Sequence, residues 1–298
     1  MIFVDRPDGK RVKKLNPFQK ILPYVMRGRN EAAVYFSMDI DIEPALRMVR
    51  DLNNVQGEKK FGLFHVVIAA IVRVLEEKPL MNRFVMGRHI YERNYRSISF
   101  IVKKQLTEDA RETDAKIFFD EGENFFTVAQ KVDEAIAQAQ SEELSPDEKE
   151  MYFLASIPGG YRIATAVFRL LDRLNIAPGG MIKSDPLYTS VYVANLASLN
   201  LDAPFHHLYE WGSASVFVVM GRVERRKVQK KDGTEALHRW MNFKITVDER
   251  IGEGLYFARV LELFKRIMAN PTVLLEKDVR QEEVLQSAPQ PDAVPVVF

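Results

Sequence analysis

Residues 248–254 form a short charged turn with the sequence Asp-Glu-Arg-Ile-Gly-Glu-Gly. The residues before it, 236–247, are rich in β-branched and aromatic side chains and predict a strand. The residues after it repeat apolar side chains every three or four positions from Leu255 to Met268, which predicts an amphipathic helix. This helix ends before Asn270 and Pro271. The segment therefore restricts the chain to folds in which a strand passes through an acidic and basic turn into a surface helix.

Helical and strand patterns alternate along the rest of the chain. We expect a short helix at 16–26, a strand at 31–40 leading from Asp41 into a helix, and turns at 178–180 and 231–234. The other predicted helices cover 61–78, 125–140 and 162–174, and a further helix is predicted to start at 145. The other predicted strands cover 88–91, 97–103, 115–119, 188–196 and 213–223. Because no low-complexity linker divides the chain, these elements predict one α/β domain with a mixed sheet.

Composition excludes several classes of protein. The chain has 42 basic and 41 acidic residues, a net charge of +1 that is too balanced for a nucleic-acid-binding surface. It has no cysteine, so disulfides and thiolate chemistry are absent, which fits a reducing cytoplasm. No apolar run approaches the ~20 residues that span a bilayer, and we expect no membrane partner. Motifs for dinucleotide, ATP or zinc binding are missing, so no metal site is predicted.

Two segments carry a resemblance to a known family. Residues 190–196, Ser-Val-Tyr-Val-Ala-Asn-Leu, are similar to a Thr-x-Thr-x-Ser-Asn-Leu strand, and residues 248–254 are similar to an Asp-His-Arg-x-x-Asp-Gly turn. Three further segments are similar to the same family: the helix before Asn82, the segment from Pro204 to Gly221, and Asn270-Pro271. Over about residues 15–276, the chain therefore resembles the acyltransferase core of 2-oxo-acid dehydrogenase complexes and chloramphenicol acetyltransferase. The resemblance implies a two-layer α/β sandwich, with a mixed β-sheet flanked by helices.

The resemblance also implies where the chemical groups should lie. In the family a histidine from one subunit acts as general base and a serine of the next stabilises the oxyanion. Here these positions are Glu249 and Ala194, while Asn195 is kept and Glu253 stands for the family's aspartate. Loss of one oxyanion donor typically slows a reaction about 100- to 1000-fold. We therefore expect acyl transfer to be lost or strongly reduced.

The residues leave alternatives open at this turn. Burial could raise the pKa of Glu249 until it serves as a base, or Glu249 could belong to an ion-pair cluster with Asp248, Arg250 and Glu253. His206 and His207 could supply a relocated base or line a channel, although adjacent residues of a strand point to opposite faces. We expect His65 to be a core histidine with satisfied hydrogen bonds, and His89 and His238 to be exposed.

Three functions follow as expectations. The first is a non-catalytic, self-assembling scaffold built from homotrimers, with a basic N-terminal arm (1–30), a core domain (31–278) and a C-terminal extension (279–298) that joins trimers into a cage. The second is an active transferase that uses coenzyme A (CoA) or dihydrolipoamide and takes Glu249 or a relocated histidine as base. The third is a binder of CoA or pantetheine without turnover. No covalent cofactor is expected, and CoA or dihydrolipoamide would be the ancestral co-substrate.

Overall fold

The computed structural model describes residues 5–103, 112–140, 156, 159–229 and 233–276 of the 298. The helix start predicted at residue 145, the C-terminal extension 279–298 and half of the predicted turn at 231–234 lie outside the described residues. No helix in the described ranges combines the length and the apolar character needed to cross a membrane.

The described residues contain the predicted helices and strands other than the helix start at 145, and three short elements, Gly9–Arg11, Arg83–Met86 and Gly179–Ser184, that the sequence patterns did not predict. The helices are α1 (Pro17–Val25), α2 (Glu43–Gln56), α3 (Leu63–Glu77), α4 (Phe125–Gln140), α5 (Gly160–Arg173), α6 (Gly179–Ser184) and α7 (Gly254–Ala269). The strands are β1 (Gly9–Arg11), β2 (Ala33–Asp41), β3 (Arg83–Met86), β4 (His89–Arg93), β5 (Arg96–Lys103), β6 (Glu112–Phe119), β7 (Val191–Asn195), β8 (Val216–Gln229) and β9 (Glu235–Asp248).

The main sheet is mixed, with the strand order β2-β9-β8-β7-β5-β6. Strands β5, β7 and β8 run parallel to one another. Strand β6 pairs antiparallel with β5, β9 pairs antiparallel with β8, and β2 pairs antiparallel with β9. A small second sheet has the order β1-β4-β3. The parallel centre requires long crossovers between β5, β7 and β8. The first contains β6 and the helices α4, α5 and α6, whereas the second contains a 3-10 turn at 196–199 and a loop.

The main core lies between one face of the large sheet and helices α2, α3, α4 and α7. Alternation along the strands decides which side chains enter it: Val191 and Val193 of β7 face this core, whereas Tyr192 faces the opposite side. There it packs under residues 201–209 with Phe217. The fold is thus an α/β two-layer sandwich of a mixed sheet and helices, as predicted.

The N-terminal region is fastened to the core at both of its ends. Strand β1 pairs with β4, and the buried guanidinium of Arg6 lies 2.6 Å from Asp172 of α5. Helix α1 begins with a capping box, in which Gln19 N donates to Asn16 Oδ1 at 2.7 Å and Asn16 N donates back to Gln19 Oε1. Strand β1, Arg6 and the carbonyl of Met26, which accepts from Arg250 Nη1, therefore hold this region against the rest of the fold.

Two local predictions differ from the structure. The glycine pair after Pro178 was expected to form a turn, but Gly179 begins the short helix α6, because Ile182 of this helix is buried beside Phe168 and tertiary packing outweighs the low helix propensity of glycine. Asp41 does accept a hydrogen bond from Glu43 N at 2.9 Å, but the cap position of α2 itself is Ile42.

Candidate functional site

The charged turn 248–254 closes strand β9 and is held by one ion pair. Both members are buried: Arg250 donates from Nε to Asp248 Oδ1 at 2.8 Å and from Nη2 to Oδ2 at 2.6 Å. The Asp248 carboxylate also accepts from Arg250 N at 3.1 Å, and Arg250 Nη1 donates to the carbonyl of Met26 at 2.9 Å. The pair thus joins the end of the sheet to the end of α1.

Glu249 and Glu253 lie outside this pair. Glu249 is half-buried, and its backbone N–H donates to Ala32 O at 2.9 Å. Within the described ranges, its carboxylate makes no hydrogen bond or ion pair. Glu253 is exposed at the start of α7, where its carbonyl accepts from Phe257 N. The structure therefore joins two of the four residues considered for an ion-pair cluster and leaves the carboxylate at position 249 available.

Ala194 and Asn195 form the end of β7. Ala194 is half-buried and packs in the small apolar cluster around Tyr192 and Phe217 on the outer face of the sheet. Asn195 is also half-buried, and its side-chain Oδ1 is a buried acceptor without a partner in the part of the chain that the structure describes. A methyl group at 194 can donate no hydrogen bond to this surface.

Ala194 and Glu249 are far apart within one chain. Ala194 is in register with Val219 of β8, which is in register with Lys244 of β9. Asp248 lies beyond Lys244 on the same strand. At about 3.3 Å per residue along a strand and about 4.8 Å between strands, Ala194 and Asp248 are roughly 16 Å apart, and Glu249 is one residue further. One subunit therefore cannot bring these two positions into a common site.

The two adjacent histidines differ from the strand prediction. They lie in an extended segment outside any strand, and their rings are stacked, with centroids 4.8 Å apart and an angle of 14° between the planes. The prediction that they point to opposite faces is wrong, because no sheet pairing forces alternation here. His206 also stacks on Phe217 with centroids 3.9 Å apart, and Thr246 Oγ1 donates to its carbonyl.

The His206 imidazole has a defined environment. Its Nδ1 lies 2.7 Å from the carbonyl oxygen of His207, so Nδ1 carries the proton as donor and Nε2 is left as an acceptor in the neutral ring. Burial lowers the pKa of His206 and the neighbouring His207 lowers it further, against a raising effect of the hydrogen bond to the His207 carbonyl. The net lowering of the pKa favours the neutral form of the His206 ring.

The remaining histidines are placed as follows. His65 is buried; its Nδ1 accepts from Gly62 N at 3.1 Å, and its Nε2 lies 3.0 Å from Asp133 Oδ1, so the prediction of a satisfied core histidine is confirmed. His238 and His89 are half-buried, which corrects the prediction that both are exposed. His238 Nδ1 is 2.5 Å from Asp41 Oδ2, because the register of β2 and β9 sets these strands side by side.

Two cavities lie away from these residues. A small one of about 50 Å³ between the sheet and helices α3 and α7 is lined only by apolar side chains. A cleft of about 460 Å³ lies between the β4–β5 turn and the loop after β6. Neither is lined by Ala194 or Glu249. Among the described residues, no group of three or more histidine, aspartate or glutamate side chains could hold a metal ion.

Sequence reasoning missed a buried polar network around Arg6, Asp172 and Tyr188, just before the start of β7. Arg6 donates to Asp8 Oδ1 at 2.9 Å and to Asp172 Oδ1 at 2.6 Å, and Tyr188 Oη donates to Asp172 Oδ2 at 2.8 Å. Burial raises the pKa of Tyr188 far above its usual range, and the negative charge of Asp172 raises it further. The only local signal was the Pro-Asp-Gly turn after Arg6, which predicts a hairpin but not a partner far along the chain.

Comparison with known proteins shows the fold. No protein-family model matches the sequence, and no curated protein sequence matches it significantly. A probable dihydrolipoamide acetyltransferase from Listeria monocytogenes has a similar structure, with a TM-score of 0.56 and 14% identity, over 91% of this chain and 98% of that one. The cubic core of a pyruvate dehydrogenase multienzyme complex matches with a TM-score of 0.58 and 13% identity, over 90% of this chain and 95% of that one.

A chloramphenicol acetyltransferase matches with a TM-score of 0.51 and 12% identity, over 90% of this chain and its full length. In the acetyltransferase of Azotobacter vinelandii, also similar at a TM-score of 0.58 and 13% identity over 90% of this chain and 95% of that one, a serine, a histidine and an asparagine were investigated for their role in catalysis. The chain therefore has the fold of the acyltransferase core of 2-oxo-acid dehydrogenase complexes and chloramphenicol acetyltransferase.

Proposed function

We propose that this protein is a non-catalytic, self-assembling scaffold with an acyltransferase-core fold. The observation that carries the proposal is the pair of positions 194 and 249, where the resemblance places an oxyanion-binding serine and a basic histidine and this chain has alanine and glutamate. The alanine methyl cannot stabilise an oxyanion. A carboxylate is in general a much weaker base than the imidazole of a histidine and is therefore poorly matched to a thiol.

The geometry of the two positions supports an assembly of subunits. Because Ala194 and Glu249 are separated by roughly 16 Å or more within one chain, a site of the family's kind requires the end of β7 from one subunit and the turn 248–254 from another. A head-to-tail contact of this type closes into a ring, and we propose a ring of three.

Helix α1 offers apolar surface beside this turn. Phe18, Ile21, Tyr24 and Val25 are 50–66% exposed, and Arg250 holds the helix end through the carbonyl of Met26. Adjacent exposed apolar side chains of this number are typical of surfaces that a partner covers. We therefore place the trimer contact at α1 and the neighbouring turn.

A larger particle extends the same proposal. One structural neighbour forms a cubic core, and cubic symmetry contains threefold axes on which trimers can lie. The extension 279–298 ends in Val-Pro-Val-Val-Phe, an apolar segment suited to join trimers into a cage. We place the assembly in the cytoplasm, in keeping with the absence of cysteine. CoA or pantetheine is the ligand that such a scaffold would retain.

One observation favours a second candidate, an active CoA- or lipoyl-dependent transferase. The Nδ1 of His206 is occupied by a carbonyl at 2.7 Å, and the lowered pKa favours the neutral ring. The ring stacks on Phe217, on the same outer face of the sheet as Ala194. These are the properties of a general base whose Nε2 accepts a proton. In this candidate His206 or the unpaired Glu249 replaces the family's histidine.

Three measurements separate these functions. Light scattering at micromolar concentration should give the mass of a trimer or a multiple of it, and a stable monomer would refute the scaffold. Calorimetry with CoA tests ligand binding, and a thiol-release assay with acetyl-CoA tests turnover. Binding without thiol release supports a scaffold that retains the ligand. Turnover that disappears in His206→Gln or in Glu249→Gln would establish the active transferase and identify its base.

A further inference from the structure

Helix α5 carries an exposed aliphatic stripe that no described residue covers. Ile163, Val167 and Leu170 are spaced by four and three residues, so they lie on one face of the helix. Their exposed fractions are 65%, 50% and 57%. We refer to these three side chains as the α5 stripe.

The stripe is not the surface that attaches α5 to the protein. The helix is held by Phe168, whose ring lies 5.3 Å from Trp211 and 6.1 Å from Tyr188, and by Asp172, which pairs with Arg6 at 2.6 Å. Phe168 and Asp172 are both buried. The apolar face of α5 is therefore wider than packing against the core requires, and the outer half is left in solvent.

All exposed charges of α5 are positive. Arg162, Arg169 and Arg173 are exposed, and at 100° per residue they fall within about 40° of one another along one edge of the stripe. The single carboxylate of the helix is Asp172, which Arg6 neutralises in the interior. Helix α6, which packs beside α5 through Ile182, adds the exposed Lys183 and Met181, the latter 47% exposed.

We propose that the α5 stripe and its arginines dock on the surface of an anionic lipid bilayer. Aliphatic side chains flanked by cations match the boundary between acyl chains and headgroups, where the side chains insert and the guanidinium groups bind phosphates. Because α5 is already folded and fixed by Phe168 and Asp172, docking requires no ordering of the helix. A second copy that docks through its own α5 is a poorer occupant, because an antiparallel pairing of the two helices would bring arginines against arginines.

This proposal replaces the expectation from sequence that no membrane is a partner. That expectation was based on the absence of a spanning segment, and a helix lying in the plane of a membrane needs none. Hydrophobic periodicity predicts an apolar face for α5 but cannot tell which part of this face the protein itself covers.

The test is cosedimentation of the whole chain with vesicles of phosphatidylcholine, alone or mixed with phosphatidylglycerol. We expect binding to the mixed vesicles only, weaker at high ionic strength. The variant Arg162→Gln/Arg173→Gln should bind the mixed vesicles roughly 25-fold more weakly, since a basic residue near an anionic surface contributes about a fivefold effect. Replacing the α5 stripe by serine at all three positions should weaken binding by about tenfold or more.

Matched controls carry the same changes elsewhere. The triple variant Val55→Ser/Leu237→Ser/Leu255→Ser removes three aliphatic side chains that are 84%, 57% and 67% exposed on other surfaces. Arg47→Gln/Arg259→Gln removes two exposed arginines of α2 and α7. Both controls should bind the mixed vesicles as the native protein does.

Four results would overturn the proposal, three of them from the vesicle experiment. The first is no binding of the native protein to either vesicle, and the second is equal binding to both. The third is a stripe variant that binds as tightly as the native protein. If the stripe variant instead lowers the mass of the protein in solution without vesicles, the face is a contact between copies and the lipid proposal is also rejected.

Discussion

The guanidinium of Arg250 donates two hydrogen bonds, of 2.8 and 2.6 Å, to the carboxylate of Asp248, two positions earlier in the chain. Both charges are buried, and the same guanidinium reaches the last turn of α1 at Met26. Glu249, which lies between these two buried residues, is only half-buried. The Asp248–Arg250 ion pair therefore stabilises the turn. The Glu249 carboxylate, which has no hydrogen bond or ion pair within the described ranges, is available for contact with another molecule.

The first prediction concerns this pair. Arg250→Met should lower the free energy of unfolding by about 3–5 kcal/mol, because it leaves the Asp248 carboxylate buried without a counter-charge. Glu249→Gln should change it by less than about 0.5 kcal/mol, because the carboxylate of Glu249 makes no hydrogen bond or ion pair within the described ranges. Urea denaturation measures both, and equal losses would contradict the assignment of separate roles.

The second prediction concerns assembly. Phe18→Ser/Ile21→Ser removes two exposed side chains of α1 that we place in the trimer contact. The variant should dissociate at concentrations roughly tenfold higher or more than the native protein, as expected for loss of central apolar contacts. Sedimentation velocity over a concentration series measures this. Val55→Ser/Leu237→Ser is the matched control, and an identical shift in the control would argue against α1 as the contact.

The third prediction concerns catalysis. If the proposed function holds, the native protein should show negligible acetyl transfer from acetyl-CoA to dihydrolipoamide or chloramphenicol, because the resemblance assigns the position of the base to Glu249 and that of the oxyanion donor to Ala194. The double variant Ala194→Ser/Glu249→His should regain a trace of activity, whereas either single change should do little, since such groups act as a unit. A thiol-release assay measures each variant. Robust native turnover that Glu249→Gln abolishes would make Glu249 the base.

The fourth prediction concerns acid stability. Two hydrogen bonds from Arg239, each 2.9 Å, lower the pKa of Glu43 from 4.5 to about 2. The folded-state pKa lies below the unfolded one, so this stabilisation is full above about pH 4.5 and is lost as the pH falls towards 2. Because the pair lies near the surface, we expect a loss of only about 1 kcal/mol.

Glu43→Gln should remove this part of the pH dependence between about pH 4.5 and 2 and leave the rest of the unfolding curve unchanged. Urea denaturation at a series of pH values provides the comparison. Glu262→Gln, a change on an outer position of α7 with no ion pair in the described ranges, is the control. If both variants lose the same dependence on pH, the contribution does not come from the Glu43–Arg239 pair.

Local patterns predicted much of the fold. The apolar side chains of α4 repeat with a helical period, and the predicted bounds 125–140 agree with the structure. The short helix predicted at 16–26 is α1, Pro17–Val25. The turn between β9 and α7 also lies where its charges and glycines place it. These features depend on interactions between residues only a few positions apart in the chain. Local sequence patterns are therefore enough to predict them.

Contacts between distant residues decided the rest. Arg6 and Asp172 are far apart in the chain, and only the folded structure makes them a buried pair that fixes α5. The stacking of His206 on Phe217 and the half-burial of His238 beside Asp41 likewise depend on which segments lie next to each other. The same holds for the separation of Ala194 and Glu249, which follows from strand order and register.

The sequence by itself determined the order of most helices and strands and the fold class, because these are encoded in local patterns. Tertiary structure alone decided which half of α5 remains in solvent, which of the four charged side chains of the turn pair with each other, and that positions 194 and 249 cannot meet in one subunit. Burial and pairing arise from contacts distant in the chain, and periodicity along a sequence carries no information about which surfaces those contacts cover.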